Sequence, residues 1–160
     1  MIYSKEDLRY YLSEDCKSMH KSHMFIKWLT RSEEFYPIIF MKCLRYAEYY
    51  INKKKKIWDY IPYIWYMWNY RRLKNKLNFY IMPNLVGPGF NPVHPGFIRV
   101  GADVSIGKNC TILPMVLIGK AKPGLDMKGF SIGDNCYIST GVTILGPIKI
   151  GNNVTIAAGA

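Results

Sequence analysis

The stretch Val100-Gly101-Ala102-Asp103-Val104-Ser105-Ile106-Gly107-Lys108-Asn109-Cys110-Thr111-Ile112 sets the reading of the whole chain. An aliphatic residue recurs every sixth position, at Val100, Ile106, Ile112 and Ile118, and again at Ile132, Ile138, Ile144, Ile150 and Ile156. A small residue follows in most repeats, at Gly101, Gly107, Gly119, Gly133, Gly151 and Ala157. Four residues after the aliphatic stands a second apolar side chain: Val104, Cys110, Val116, Cys136, Val142, Ile148, Val154 or Ala160. A beat of six is not the 3.6 of a helix, and a flat strand does not place glycine so regularly. The solution is a coil of three short strands per turn, one hexad per face. Its aliphatics point inward, and the small residue that follows lets the chain turn the corner. Successive coils stack Ile on Ile, and their backbones pair.

The beat is broken once. Ile118 and Ile132 are 14 residues apart. Eight extra residues within Lys120-Ala121-Lys122-Pro123-Gly124-Leu125-Asp126-Met127-Lys128-Gly129 must loop out at one corner. Long excursions from rigid scaffolds often carry function.

Working outward, the first half has a different chemistry. All 13 glycines follow residue 86, whereas most of the 24 aromatics lie at or before Tyr80. Residues 1–78 therefore read as a basic, aromatic, helical region, and 79–160 as the repeat domain, an α+β arrangement. Ser4-Lys5-Glu6-Asp7 is an N-cap with acidic residues in the first turn. A second helix contains Phe25, Ile26, Trp28 and Leu29. A third runs from Pro37 through Ile38, Met41, Leu44 and Tyr49. Lys53 to Lys56 then precede an aromatic segment, Ile57 to Tyr70, in which Pro62 kinks or begins a helix. Arg71-Arg72-Leu73-Lys74-Asn75-Lys76 closes the half.

The chain has 160 residues, 49% of them hydrophobic and 21% charged, which excludes a disordered protein. Four cysteines without a CxxC pair exclude a zinc ribbon and argue against a disulfide framework. There is no apolar leader and no run of about 18 apolar residues, so the chain reads as cytoplasmic with reduced thiols.

With these residues placed, the chain resembles the hexapeptide-repeat acyltransferases, and among them the serine acetyltransferase branch. The motif that carries the likeness is Val86-Gly87-Pro88-Gly89-Phe90-Asn91-Pro92-Val93-His94-Pro95-Gly96-Phe97-Ile98-Arg99. The resemblance implies a left-handed parallel β-helix after the helical region. It implies a homotrimer, which helical regions in this branch join into a dimer of trimers. Acetyl-CoA is the implied co-substrate, with no metal. His94 matches the catalytic base, and a neutral imidazole suits the removal of a proton from an alcohol as it attacks a thioester. Lys120, Lys122 and Lys128 are candidates for CoA phosphates, and Arg99 and Asp126 for the acceptor. The branch also carries an Asp upstream of the His and a second His on the excursion. Here the corresponding residues are Asn78-Phe79-Tyr80-Ile81-Met82, and Asp126 with Lys128. These departures favour a sugar hydroxyl over L-serine as acceptor, in surface polysaccharide synthesis. The repeats reach Ala160 in mid-coil, and the resemblance implies a further partial coil and cap.

Other readings stand beside this one. His20 and His23 read as solvated helix residues, Cys16 and Cys43 as helix-face residues, and Cys110 and Cys136 as core packing. The second half offers neither stacking platform nor phosphate groove, which speaks against nucleic acid. The aromatic tract between Lys53–Lys56 and Arg71-Arg72 suits either a peripheral membrane contact or a contact between subunits. A reading of another class is a catalytically inactive trimeric β-helix scaffold whose helical region docks on a membrane or partner.

Overall fold

The structure is a computed structural model that describes residues 1–19, 24–30, 32–54, 56–126 and 128–160. His20 and His23 lie outside the described residues. Ser4 starts the first helix as its spacing predicts. Its hydroxyl accepts from the Asp7 amide at 3.0 Å, and its own amide donates to the Asp7 carboxylate at 2.9 Å. The Tyr3 and Ser4 amides hold the Asp7 carboxyl below its ordinary value. The helices are α1 (Lys5–Ser18), α2 (Met24–Leu29), α3 (Phe35–Asn52) and α4 (Tyr60–Leu77), the last entered through a 3₁₀ turn at Ile57–Asp59. Pro37 and Pro62 both sit in first turns, where a missing N–H leaves no bond unmade, so Pro62 begins its helix and does not kink it. The Arg71–Lys76 run is the last stretch of α4, where its cations suit the helix dipole. Asn78, with φ of 58°, ends α4 in the left-handed conformation.

Among the described residues, eleven short strands follow: β1 (Phe79–Tyr80), β2 (Asn91–Pro92), β3 (Ile98–Val100), β4 (Ser105–Ile106), β5 (Thr111–Ile112), β6 (Val116–Lys120), β7 (Ser131–Ile132), β8 (Tyr137–Ile138), β9 (Thr143–Gly146), β10 (Lys149–Ile150) and β11 (Thr155–Ile156). They form three parallel sheets, ordered β1-β3-β6-β9, β4-β7-β10 and β2-β5-β8-β11. Ile98 pairs with Val116 and Ile132 with Ile150, each 18 residues or three hexads on. Across the excursion Ile106 pairs with Ile132, 26 residues on, so the eight extra residues leave the layers in register.

The inward aliphatics from Val100 to Ile144 are buried. Ile148 departs from the expected inward set. It is 41% exposed, beside β10 at the edge of its sheet, where no further layer covers it. The core continues without a break into the helices, where Phe40, Met41, Leu44, Tyr70 and Leu77 join Phe79, Ile81 and Ile98. Tyr70 donates its hydroxyl to the Ile81 carbonyl at 2.7 Å, which ties α4 to the segment after β1.

The corners are turned differently from the sequence expectation. The glycines directly after the aliphatics do not have left-handed backbones. The left-handed residues stand two positions later, at Gly89, Asn109, Met115, Asn135, Asn153, Gly141 and Gly159. Asparagine tolerates this conformation because its short amide bonds locally. Here the amides also bond each other, Asn109 to Asn135 at 3.3 Å and Asn135 to Asn153 at 3.1 Å, one layer to the next. The glycines serve close stacking instead. A Cβ on Gly133 would lie 2.7 Å from the Gly151 carbonyl oxygen. Cys110 and Cys136 pack inward as expected, and their thiols donate to the Gly133 and Gly151 carbonyls at 3.1 and 3.2 Å. Burial pushes the Cys110 thiol up to about 11.

Where helices meet repeats, Arg45 of α3 is fully buried. Its Nε and Nη2 donate to the Asp15 carboxylate at 2.8 and 3.3 Å, and its Nη1 to Glu48 at 3.0 Å. The remaining donors reach the carbonyls of Val86 at 2.9 Å and Gly87 at 2.6 Å. The same carboxylates accept the amides of Gly89 and Asn84, both at 2.8 Å. Gly89 has a φ of +76°, and a Cβ there would collide with the Asn109 side chain. Burial disfavours the guanidinium's charge, but Glu48 and Asp15 outweigh it and hold the proton more tightly than usual.

Arg45→Ala strands two buried carboxylates and is expected to lower stability by about 3–5 kcal/mol in urea titration. A second test concerns Tyr70, whose phenol burial raises to about 12. The folded chain holds that proton more tightly than the unfolded chain, whose tyrosines titrate near ~10. Stability is therefore full below that pH and falls as pH rises towards the folded value. Tyr70→Phe should flatten the alkaline limb of a plot of urea midpoint against pH. An unchanged limb would contradict this account.

Candidate active site

His94 stands on a short bend between two pinned strands. Before it, β2 pairs with β5, Asn91 opposite Thr111 and Pro92 opposite Ile112. After it, the Gly96 amide donates to the Leu77 carbonyl and the Ile98 amide to the Asn78 carbonyl, both at 3.0 Å. A Cβ on Gly96 would lie 2.7 Å from Pro114 Cβ, so only glycine lets the bend sit this close to the next layer. From Pro92 to Val100 the chain takes eight residues where the hexad beat takes six. The two extra residues lift the imidazole out of the layer, so it is not sealed inside.

The helical half supplies its partner. His94 Nδ1 lies 3.1 Å from Glu33 Oε1, with side chains 50% and 66% exposed respectively. Glu33 sits in the turn that leads into α3. The neighbouring Glu34 pairs with Lys27 of α2 at 2.7 Å, and that bond holds the Glu34 carboxyl below its ordinary value. Ser32 closes the turn by accepting from the Phe35 amide at 3.1 Å. His94 opens on a cleft of about 200 Å³ between helices and strands, lined also by Ser18, Met19, Ile38, Asn91 and Val93. A carboxylate that accepts Nδ1–H leaves Nε2 as a bare lone pair. The geometry thus suits a pair in which the carboxylate orients the ring and Nε2 faces the acceptor.

The other sequence-derived candidates lie elsewhere on the chain. Arg99 on β3 stands over the Tyr80 ring at 5.9 Å, in a hollow shared with Lys74 and Met82. Lys120 pairs with Asp103 at 3.2 Å, and Asp126 and Lys128 line a hollow beside them. The Asp126 carboxylate accepts the Lys128 amide at 3.0 Å, closing the loop on itself. Lys122 is exposed on the excursion. Within one chain these are three separate patches: His94 with Glu33, Arg99 with Tyr80, and the excursion. Among the described residues, no three His, Cys, Asp or Glu side chains gather as a metal would require.

Sequence reasoning missed Glu33. The resemblance points to residues 78–82 for a carboxylate, whereas the structure brings one from 61 residues upstream of His94. Nothing at Glu33-Glu34 distinguishes it from a solvated turn.

Residues 131–160 match the family described as bacterial transferase hexapeptide (six repeats). The match covers the last five strands, β7 to β11, of the repeat half. Among solved structures the chain is similar to serine acetyltransferases. The enzyme from Neisseria gonorrhoeae in complex with serine has a TM-score of 0.67 and 22% identity over 98% of this chain and 62% of its own. Isoform 3 from Entamoeba histolytica in complex with cysteine has a TM-score of 0.62 and 21% identity, over 95% and 52%. The enzyme from Brucella abortus has a TM-score of 0.58 and 18% identity, over 97% and 61%. The likeness to the serine acetyltransferase branch thus holds for the fold, a helical region followed by parallel strands. This chain spans about half to three-fifths of the length of those enzymes. No curated protein is close enough in sequence to count as a relative.

Proposed function

We propose that the chain is an acetyl-CoA-dependent O-acetyltransferase in which His94 is the general base and Glu33 positions it. The reading includes the winding of the three sheets as a left-handed parallel β-helix. It also includes a homotrimer, in which a neighbouring chain brings its excursion towards this chain's cleft. One observation carries it: a half-exposed imidazole lines a cleft with its Nδ1 against a carboxylate, which leaves Nε2 to meet an acceptor hydroxyl. As that hydroxyl oxygen bonds to the thioester carbon, its proton passes to Nε2. The C–S bond then breaks, and the departing thiolate takes the proton back from the imidazolium. Such proton transfer contributes about 10²–10⁴-fold to rate.

In this reading Lys120, Lys122 and Lys128 meet the phosphates of CoA, and Lys120 exchanges Asp103 for them. Arg99 and Asp126 contact the acceptor. Glu33 supplies the carboxylate that the segment before His94 lacks, so that lack no longer speaks against a small hydroxylated acceptor. The absence of a histidine from the excursion still favours a sugar hydroxyl over serine. The compartment proposed is the cytoplasm.

Thiol release from acetyl-CoA, measured over a panel of serine, amino sugars and nucleotide sugars, tests the proposal. His94→Ala is expected to lose at least about a hundredfold in rate. Full retention would remove the base assignment. No turnover by the wild type and no CoA binding, with a stable trimer, would leave the scaffold reading. Glu33→Gln removes an exposed pair worth up to ~1 kcal/mol, so kcat should fall about fivefold with KM little changed. An unchanged kcat would show that Glu33 does not position the ring.

A further inference from the structure

Helix α4 is apolar on two opposite faces. Tyr66, Met67, Tyr70, Leu73 and Leu77 turn inward onto α3 and β1. Ile61, Ile64, Trp65 and Trp68 recur at i, i+3, i+4 and i+7 on the other side, and Ile57 and Trp58 of the 3₁₀ turn extend that stripe. These six side chains are between 56% and 79% exposed. Three of the chain's four tryptophans therefore lie in one outward-facing row. A helix apolar all round belongs where both faces are covered, and here one face is bare.

The charge around the row indicates what covers it. Between Glu48 and Asp103 the only acidic residue is Asp59, against nine Lys and Arg. Asp59 is already engaged, by Lys53 Nζ at 2.7 Å and the Lys56 amide at 2.8 Å. Lys54 and Lys56 are exposed at one end of the row, and Arg71, Arg72 and Lys76 at the other. The Arg72 guanidinium stands 5.6 Å from the Trp68 ring centre, so cation and indole face outward together. A second copy fits this face poorly. Any two-fold pairing of α4 on itself brings cations against cations, because α4 carries no Asp or Glu to meet them. Among the described residues, no helix is long and apolar enough to cross a membrane.

We propose that the outer face of the 3₁₀ turn and α4 docks on an anionic phospholipid surface. The helix lies in the plane of the interface, with its indoles at headgroup depth and its flanking cations on lipid phosphates. This proposal does not depend on the acetyl-transfer reading. It would hold the cleft of His94, between the helices and strands, at a membrane surface.

The test is flotation of the full chain with large vesicles of phosphatidylcholine, with and without phosphatidylglycerol, followed also by tryptophan emission. Binding with a blue shift is expected only when phosphatidylglycerol is present, and raised salt should weaken it. Trp65→Ser/Trp68→Ser and Arg71→Gln/Arg72→Gln should each weaken binding by about tenfold or more. All four side chains are exposed, so the variants are compared at matched far-ultraviolet circular dichroism and urea midpoint. No binding to the anionic vesicles, or binding at the wild-type level by both variants, overturns the proposal. So does a wild-type assembly in sedimentation velocity that the tryptophan variant loses, with no vesicle binding, since a second copy would then cover the face.

Discussion

The buried guanidinium of Arg45 is the constraint on which the arrangement depends. A fixed charge taken out of water is tolerated only when its donors are satisfied and its charge is matched. Here all five N–H donors find acceptors, three on carboxylates and two on main-chain carbonyls. The planar fork of arginine suits this, because its donors diverge in one plane towards both helices and the incoming chain. Two carboxylates meet one guanidinium, and burial raises the Glu48 carboxyl against the pull of Arg45. Apolar contacts would hold these elements together without fixing their register. The Arg45 network fixes it, since each donor has one acceptor at one distance.

That register matters for the candidate site. His94 belongs to the first layer of strands, and Glu33 to the turn before α3. They meet only if α3 sits at one height along the repeats. Arg45 and Glu48 lie on α3, and their partners at Asn84, Val86 and Gly87 lie just before β2. The contact of 3.1 Å between imidazole and carboxylate is thus set by a network within the same two elements. An exposed pair of this kind has little strength of its own. The frame places it.

The repeats behave as a rigid, almost one-dimensional lattice. Each layer is bonded to the next by short parallel strands, by the Asn109-Asn135-Asn153 row and by thiol-to-carbonyl bonds. Eight residues inserted at one corner leave the pairing on either side in step. The two extra residues at His94 act in the same way on a smaller scale. Both departures from the beat carry exposed side chains, His94 on one and Lys120 and Lys122 on the other. The helical half contributes the opposite quality, a bare aromatic and cationic face on α4 that the repeats leave uncovered.

The six-residue beat determined the strands, the burial of the aliphatics and the place of the excursion, because that pattern is local and repeats. Helix starts at Ser4, Pro37 and Pro62 were legible for the same reason: capping and proline chemistry act within one turn. His94 was legible because it interrupts the beat. The corner residues were misread, since hydrophobic period alone does not say which position of a hexad carries the left-handed backbone, and asparagine and glycine share that task. Glu33, Arg45 and the one-sided burial of α4 were decided by the tertiary structure alone. Each depends on segments tens of residues apart meeting at ångström precision, and no spacing along a chain encodes the relative height of two packed elements.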